Sequence, residues 1–586
     1  MTDDEMTSAR DQDLAAILAP LENNKVVVAG PGTGKTHTFK ELADRTKGPV
    51  LALTFLNKLA AELSLELGER ATTRTLHRYS HRLLRVNNVS GITPEVDYYP
   101  PFMMIIREDA ALADLPTGDF DKAFMKLNDS HKLISTGLKV GDYYNAVGHT
   151  DSVYRVYRLF ESSPSAIPKY SQVLVDEYQD FSLLETKIIA ALSEGSPTLV
   201  VGDDDQALYG FRHADADYLR DLIDQPGWTK LDLRFCTRCT KVMVAAVKCI
   251  VENAQANGRL VGRVPKEYIC YLPKKRADSG EYPKIMHVSC STETPTCPYT
   301  GRYIAKRLAA IPKSDIVRSL SERRPTVLIM GENPLLGLVH KYLLAQSIPN
   351  VQLRKSSKLS IEAIHGYRRI MMNPRSKLGW RIILGLRQPV GWQSVIKQCL
   401  LGDKEIVDEL NDAFKKEHLE VARLLKVFTE GEPLTSEEVS LLRDETGLDE
   451  GELRLEFGIA LDEDVEEETE LAIEDSDAPT ILLTSFQGAK GLQAEHVFIL
   501  GMNEGCLPKS NSSITDEDVC KLLVALTRGT KSCTIISSIF LINKVMKQSA
   551  FVAWLNPTLQ PLRVDKNYWS GANESTGTTS PDTASA

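Results

Sequence analysis

A chain of 586 residues is too long for one hydrophobic core, and three or four domains are expected. With 42% hydrophobic and 25% charged residues and no uninterrupted apolar run of about 18 residues, the composition is that of an ordinary globular protein with no membrane role. The net charge of −10 argues against a generally basic nucleic-acid binder.

The N-terminus, MTDDEMTSARDQD, is acidic where a secretory signal would be basic and then apolar, so cytoplasmic residence is expected. Short β-branched runs, each followed by turn residues and a helical pattern, predict buried parallel strands at Lys25–Ala29, Val50–Thr54, Gln172–Val175, Thr198–Val201, Thr326–Met330, Thr480–Thr484, His496–Leu500 and Cys533–Ser537. Such strand-then-helix repetition marks an α/β fold with crossover helices. Two mostly helical stretches interrupt it, 86–170 and 355–475. The second carries an acidic run within 447–478, whereas His77–Arg85 and Tyr154–Arg158 are basic with interleaved aromatics, so a local binding channel is compatible with the acidic total. The Ser/Thr/Gly-rich end is expected to be a disordered tail.

Ten cysteines without an export signal read as reduced thiols. Cys236 and Cys239 have the spacing of metal ligands. Cys249, Cys270, Cys290 and Cys297 supply no second tight pair, so a zinc site is disfavoured.

The segment Lys25–Thr36 is a strand entering a Gly-rich turn, Ala29-Gly-Pro-Gly-Thr-Gly-Lys-Thr36, followed by a helical pattern. Backbone amides of Gly30, Pro31 (as a spacer without an N–H), Gly32, Thr33 and Gly34 would wrap the phosphates of ATP. Lys35 would reach the β- and γ-phosphates and Thr36 would hold Mg²⁺. Ala29 stands where the strict pattern has glycine, and so small a residue is tolerated. Downstream, an apolar strand ends in Asp176-Glu-Tyr-Gln-Asp180. Paired carboxylates there suit Mg²⁺ coordination by Asp176 through water and polarisation of the attacking water by Glu177.

These two motifs are followed by Val200-Val-Gly-Asp-Asp-Asp-Gln-Ala-Leu-Tyr-Gly-Phe-Arg212, which closely resembles motif III of the UvrD/Rep/PcrA-like helicases of superfamily 1. The resemblance continues in family order through Thr54-Phe-Leu-Asn-Lys58 (motif Ia), Arg74-Thr-Leu-His-Arg78 (Ib), Cys236-Thr-Arg-Cys-Thr240 (IV), Gly488-Ala-Lys-Gly-Leu-Gln493 (V) and Val524-Ala-Leu-Thr-Arg528 (VI). It implies two RecA-like P-loop NTPase domains with mostly helical insertions. The first domain would comprise 1–85 plus 171–215 and the second 216–354 plus 476–566, with insertions at 86–170 and 355–475 and a tail at 567–586. The second insertion looks like a reduced form of the family's mobile accessory domain.

By the same resemblance Arg238 and Arg528 act as arginine fingers on the γ-phosphate, Gln206 senses that phosphate, and Gln12 and Gln493 lie with the nucleotide. Phe55, Asn57, His77, Tyr209, Phe211 and Arg212 sit where the family contacts single-stranded DNA. Phe55 and Tyr209 are also readable as core packing, and His77 and His81 share a helix face without a carboxylate to complete a metal site. The family's adenine-stacking tyrosine is replaced by Thr237, and its motif V His and Glu by Gln487 and Gln493, so recognition of base and ribose should be looser while the phosphate, Mg²⁺ and arginine groups all survive.

The activity so implied is ATP-dependent 3′-to-5′ translocation on single-stranded DNA and at single/double-strand junctions, in repair, replication or recombination. Two other readings stand beside it: an ATP-gated DNA clamp or recruitment factor that separates no strands, and the motor of a helicase-nuclease. The latter needs a separate nuclease chain, and loading partners are also expected.

Overall fold

The computed structural model describes residues 1–20, 23–55, 57–87, 89–127, 131–273, 278–354, 359–458, 477–541 and 543–570, with the side chains of 57, 58 and 131 outside that description. The expected tail from 571 onward and most of the acidic run, 459–476, lie outside the described residues.

The first sheet has six strands, β1 (Asn24–Ala29), β2 (Val50–Thr54), β3 (Thr72–Thr75), β4 (Gln172–Val175), β5 (Thr198–Gly202) and β6 (Trp228–Leu233). They lie in the order β3-β2-β4-β5-β1-β6, and every pairing is parallel. β2, β4 and β5 are buried along their whole length, the signature of strands covered by helices on both faces, which is why they read as unbroken apolar runs. Helix α1 (Asp3–Leu18) opens with a capping box between Thr2 and Glu5. At its other end the buried Lys25 ammonium donates to the carbonyls of Ala16, Ile17 and Ala19 at 3.1, 2.8 and 2.8 Å, a cation where the helix dipole is negative.

A second, seven-stranded sheet follows, with β7 (Ile285–Cys290), β8 (Val327–Met330), β9 (Val351–Leu353), β10 (Ile481–Thr484), β11 (Ala494–Leu500), β12 (Gly529–Ser538) and β13 (Leu559–Val564). Its order is β9-β10-β8-β11-β12-β7-β13, again parallel throughout. The molecule is therefore an α/β protein of two RecA-like sheets. All eight predicted strands are present. The sequence reading missed β3, β6, β7, β9 and β13. Four of these are sheet edges, where one flank faces away from the core and the pattern turns polar, as in Thr-Thr-Arg-Thr of β3, or admits Pro561 in β13.

Helices Phe102–Leu112, Phe120–Met125, His131–Tyr144 and His149–Ser162 form the first insertion, and Ala363–Met372, Lys377–Arg387, Trp392–Gly402, Asp412–Thr429, Ser436–Thr446 and Glu450–Gly458 the second. The two share one core, in which Phe102, Ile105 and Tyr144 meet Tyr367, Trp380 and Ile383. A buried ion pair runs between them: Arg381 Nε donates to Asp109 Oδ1 at 2.6 Å and Nη2 to Glu108 Oε2 at 2.8 Å. Removing one partner of a buried pair strands the other charge in a low dielectric. Arg381→Ala is expected to destabilise the joined insertions by about 3–5 kcal/mol, checked as a fall in the urea midpoint of their unfolding transition. No described helix is long and apolar enough to cross a membrane.

Candidate nucleotide cleft and nucleic-acid face

β1 delivers the chain into the Gly-rich turn at the carboxyl end of the sheet, where α/β folds bind ligands. Gly32 and Gly34 have φ of 70° and 99°, a region that side-chain-bearing residues avoid. Gly34 caps helix α2 (Lys35–Arg45) without any side-chain hydrogen bond, so the first-turn amides are left to an anion. Thr33 Oγ1 closes the turn on the Gly30 carbonyl at 2.8 Å. Ala29 and Gly30 are buried beneath it, and Thr36 is exposed on the first turn of α2.

Two strands away, β4 ends at Asp176, whose amide donates to the Leu53 carbonyl at 2.9 Å and whose Oδ1 accepts from the Glu177 amide at 2.9 Å. Glu177 has a left-handed backbone, φ 52°, a strained state for a non-glycine residue. Both of its carboxylate oxygens are tied down. Lys35 Nζ donates to Oε1 at 2.8 Å, and Gln179 Nε2 to Oε2 at 2.6 Å. Burial pushes the Glu177 carboxyl upward, but Lys35 and Lys490 outweigh it and hold the group well below the usual carboxylate range, so it is ionised. Asp176 goes the other way, to about 6, because it is buried and sits beside the Glu177 charge.

The opposite wall comes from the second sheet. Lys490 Nζ lies 3.4 Å from Glu177 Oε2, pairs with Asp180, and donates to the Gln206 carbonyl at 2.8 Å. Arg528 Nη2 donates to Gln206 Oε1 at 3.0 Å, while its Nε and Nη1 are fixed on the carbonyls of Val524 and Leu492 at 3.0 and 3.3 Å. Burial and the neighbouring Arg238 lower Arg528 to about 10, so it stays cationic at neutral pH. Gln206 is held in turn by Asp203, Nε2 to Oδ2 at 2.7 Å. Arg238 donates to the Thr527 carbonyl at 3.5 Å and packs so closely on the phosphate loop that a side chain at Gly32 would collide with its Cβ. Lys35, Asp176, Glu177, Gln206, Arg238 and Arg528 therefore converge on one crevice.

Gln12 is exposed on α1 and bonded only to Ser8 of its own helix, at 3.4 Å, while its neighbour Asp13 takes a bidentate pair from Arg234 at 2.9 and 3.0 Å. Gln493 is half-buried just past the Gly491 turn. Thr237, which replaces an aromatic, donates to the Gly32 carbonyl from both its amide (2.8 Å) and its hydroxyl (3.1 Å).

On the nucleic-acid side, Phe55 and Tyr209 are 5% and 6% exposed and pack together with ring centroids 4.9 Å apart. Arg212 lies over the Phe55 ring at 4.8 Å, and the Tyr209 hydroxyl reaches across to the Gln487 carbonyl at 3.3 Å. His77 is also buried, 3.8 Å from Glu185. Burial first, then His149 and Arg212, push its imidazole well below its ordinary range, so it is neutral. Phe211, by contrast, is 64% exposed and offers an open ring. The Asn57 side chain falls outside the described residues. His81 stacks on Tyr98 at 4.8 Å, apart from any shared ligand set with His77. Among the described residues the one trio of side chains close enough to share an ion is Asp203, Asp204 and Asp205, and Lys266 already pairs with all three.

Lys490, Lys266 and Tyr268 are the residues that sequence reasoning passed over. Lys490 stood inside a quoted motif, and its buried position between two carboxylates emerges only when the sheets face each other. Removing it should leave Asp180 uncompensated, while Glu177 keeps its pair with Lys35. Lys490→Met is expected to lower nucleotide turnover at least about tenfold, with Asp180 as the group whose charge is left stranded, measured by phosphate release.

The crevice, with a phosphate loop and paired carboxylates at the end of the first sheet and the guanidinium groups of Arg238 and Arg528 facing them, has the arrangement of a two-lobed P-loop NTPase fold. A family model described as "AAA domain" matches residues 12–212. DNA helicase II of Salmonella typhimurium and of Escherichia coli are each 27% identical over 301 residues, spanning 44% of this chain and 41% of their own length. ATP-dependent DNA helicase PcrA of Leuconostoc citreum is 22% identical, over 95% of this chain and 86% of that relative. The chain is similar to the UvrD/Rep/PcrA-like proteins of helicase superfamily 1. Its match to the helicase II relatives spans less than half of their length.

Proposed function

We propose that the protein is an ATP-driven motor that moves 3′-to-5′ along single-stranded DNA and acts at single/double-strand junctions. The observation that carries this reading is the bridge from Arg528 to Gln206, 3.0 Å long, which joins the second sheet to the strand end following the paired carboxylates of the first. A motor needs its two lobes to change their spacing with the nucleotide, and only a ligand with different contacts in the open and closed states can drive that change. We set the boundary between the lobes after Trp228–Leu233 and not at 215, since that strand pairs with Asn24–Ala29 of the first sheet: the lobes would comprise 1–85 plus 171–233, and 234–354 plus 476–566.

Within this reading Lys35 leaves Glu177 for the β- and γ-phosphates, which frees Glu177 Oε1 to orient and deprotonate water. Asp176 and Thr36 provide hard oxygen donors suited to Mg²⁺, and the buried Asp176 carboxyl, raised by its Glu177 neighbour, is a group that a cation would relieve. When bound, Mg²⁺ supplies charge neutralisation on the phosphates. Arg238 and Arg528 place fixed positive charge where negative charge develops. Gln206, held between Arg528 and Asp203, passes the nucleotide state toward Tyr209 and the exposed Phe211, on which a base can stack without sequence preference.

The test is phosphate release with single-stranded DNA, duplex DNA and RNA as stimulants, beside fluorescent translocation and forked-duplex assays. Stimulation by single-stranded DNA with directional movement supports the motor. Hydrolysis with neither movement nor strand separation points to an ATP-gated clamp.

A further inference from the structure

We propose that Cys236 and Cys239 form a redox-active dithiol whose oxidation to a disulfide locks the loop carrying Arg238 and shuts down the nucleotide cleft. The two thiols bracket Thr237 and Arg238, the residues that touch the phosphate loop from the second lobe. The Cys239 amide donates to Cys236 Sγ at 3.3 Å, and Cys239 Sγ lies 3.7 Å from the Thr527 carbonyl. The Tyr268 hydroxyl sits over both sulfurs, 3.1 Å from Cys236 Sγ and 3.8 Å from Cys239 Sγ, and bonds the Pro31 carbonyl of the phosphate loop at 2.9 Å. The pair is thus wired to the phosphate loop through one phenol. Cys236 Sγ also lies 3.3 Å from where a Cβ on Gly32 would be.

The two sulfurs are differentiated as an attacking and a resolving thiol require. Burial raises Cys236, but hydrogen bonding from Cys239 outweighs it and lowers the thiol below its ordinary value, which favours it as the attacking sulfur. Cys239 is raised well above its ordinary value, first by its bond to Cys236 and then by burial.

With a low-molecular-weight disulfide as oxidant, the Cys236 thiolate attacks one of its sulfurs, the external S–S bond breaks, and one thiolate leaves. Cys239 then gives up its proton to that thiolate and attacks Cys236 Sγ, expelling the second thiolate. One external disulfide is reduced to two thiols as one internal disulfide forms. The short ring so closed fixes the Thr237–Arg238 backbone and withdraws the sulfurs from Tyr268, so the loop loses both its latch and the freedom of its arginine. Both thiols are buried between the lobes. Because Cys236 Sγ lies against Gly32 of the phosphate loop, bound nucleotide should shield them.

The experiment treats reduced full-length protein with oxidised glutathione, maps disulfides by peptide mass, and measures phosphate release before and after dithiothreitol. Expected are a Cys236–Cys239 disulfide, at least tenfold loss of turnover reversed by dithiothreitol, slower oxidation in saturating ADP, and an oxidised-to-reduced activity ratio near one in the C236S/C239S variant. A wild-type map with these two cysteines still reduced, or an equal oxidative loss in the double variant, overturns the proposal. The activity readout rests on the nucleotide reading of the cleft. The mass map and its ADP dependence stand without turnover, so a failed motor and a failed switch give different results.

Discussion

Lys35→Ala is expected to remove DNA-stimulated ATP hydrolysis, lowering turnover by at least about a thousandfold. Two losses combine in that one substitution. The ammonium that would lie on the β- and γ-phosphates is gone, and the 2.8 Å bond to Glu177 goes with it, leaving a buried carboxylate whose ionisation depends on Lys35 first and Lys490 second among its cationic neighbours. Glu177 should therefore become a poorer-positioned base as well as lose a phosphate partner. Folding should survive, because Lys35 belongs to a first-turn position on α2 and Glu177 retains Gln179 and Lys490. Circular dichroism alongside phosphate release separates lost folding from lost chemistry, and wild-type-like turnover in a folded Lys35→Ala protein would end the ATP-driven reading.

Arg528→Ala is expected to cost about a thousandfold or more in turnover with a much smaller change in nucleotide affinity, the pattern of a group whose contact strengthens in the transition state. Its guanidinium is built in from behind by the Val524 and Leu492 carbonyls, so it is aimed before any ligand arrives and little reorganisation is needed. Arg528→Lys should rescue little. One ammonium cannot reproduce the guanidinium fork that spans Gln206 and two carbonyls. Equal losses in affinity and turnover would instead mark Arg528 as a ground-state binding residue.

The strands carrying chemistry were legible because parallel strands covered on both faces must be continuously apolar, and because phosphate loops need glycines at positive φ, as at Gly32 and Gly34. Edge strands were not legible, since half of their surface escapes the core. The same asymmetry governs the site. Lys35 and Glu177 follow from local pattern, whereas Lys490 reaches Asp180 and Glu177 across more than three hundred positions of chain, a contact that only the facing of the two sheets creates. Thr237 is a further case. Read as a lost aromatic, it turns out to hold the Gly32 carbonyl twice, with Tyr268 beside it on Pro31, so an aromatic side chain does touch the phosphate loop, from thirty-one residues later in the chain. Phe55, His77 and Tyr209, which the family resemblance assigned to a DNA face, are buried, with Arg212 over the Phe55 ring, while Phe211 is the exposed ring of the set.

A crystal structure with a non-hydrolysable ATP analogue and a single-stranded oligonucleotide is the most direct measurement. The terminal phosphate should lie within hydrogen-bond distance, about 2.7–3.2 Å, of Lys35 and of both Arg238 and Arg528, with one base against Phe211. A nucleotide held by the first sheet alone, its terminal phosphate out of reach of both guanidinium groups, would contradict a motor that works by clamping ATP between its lobes.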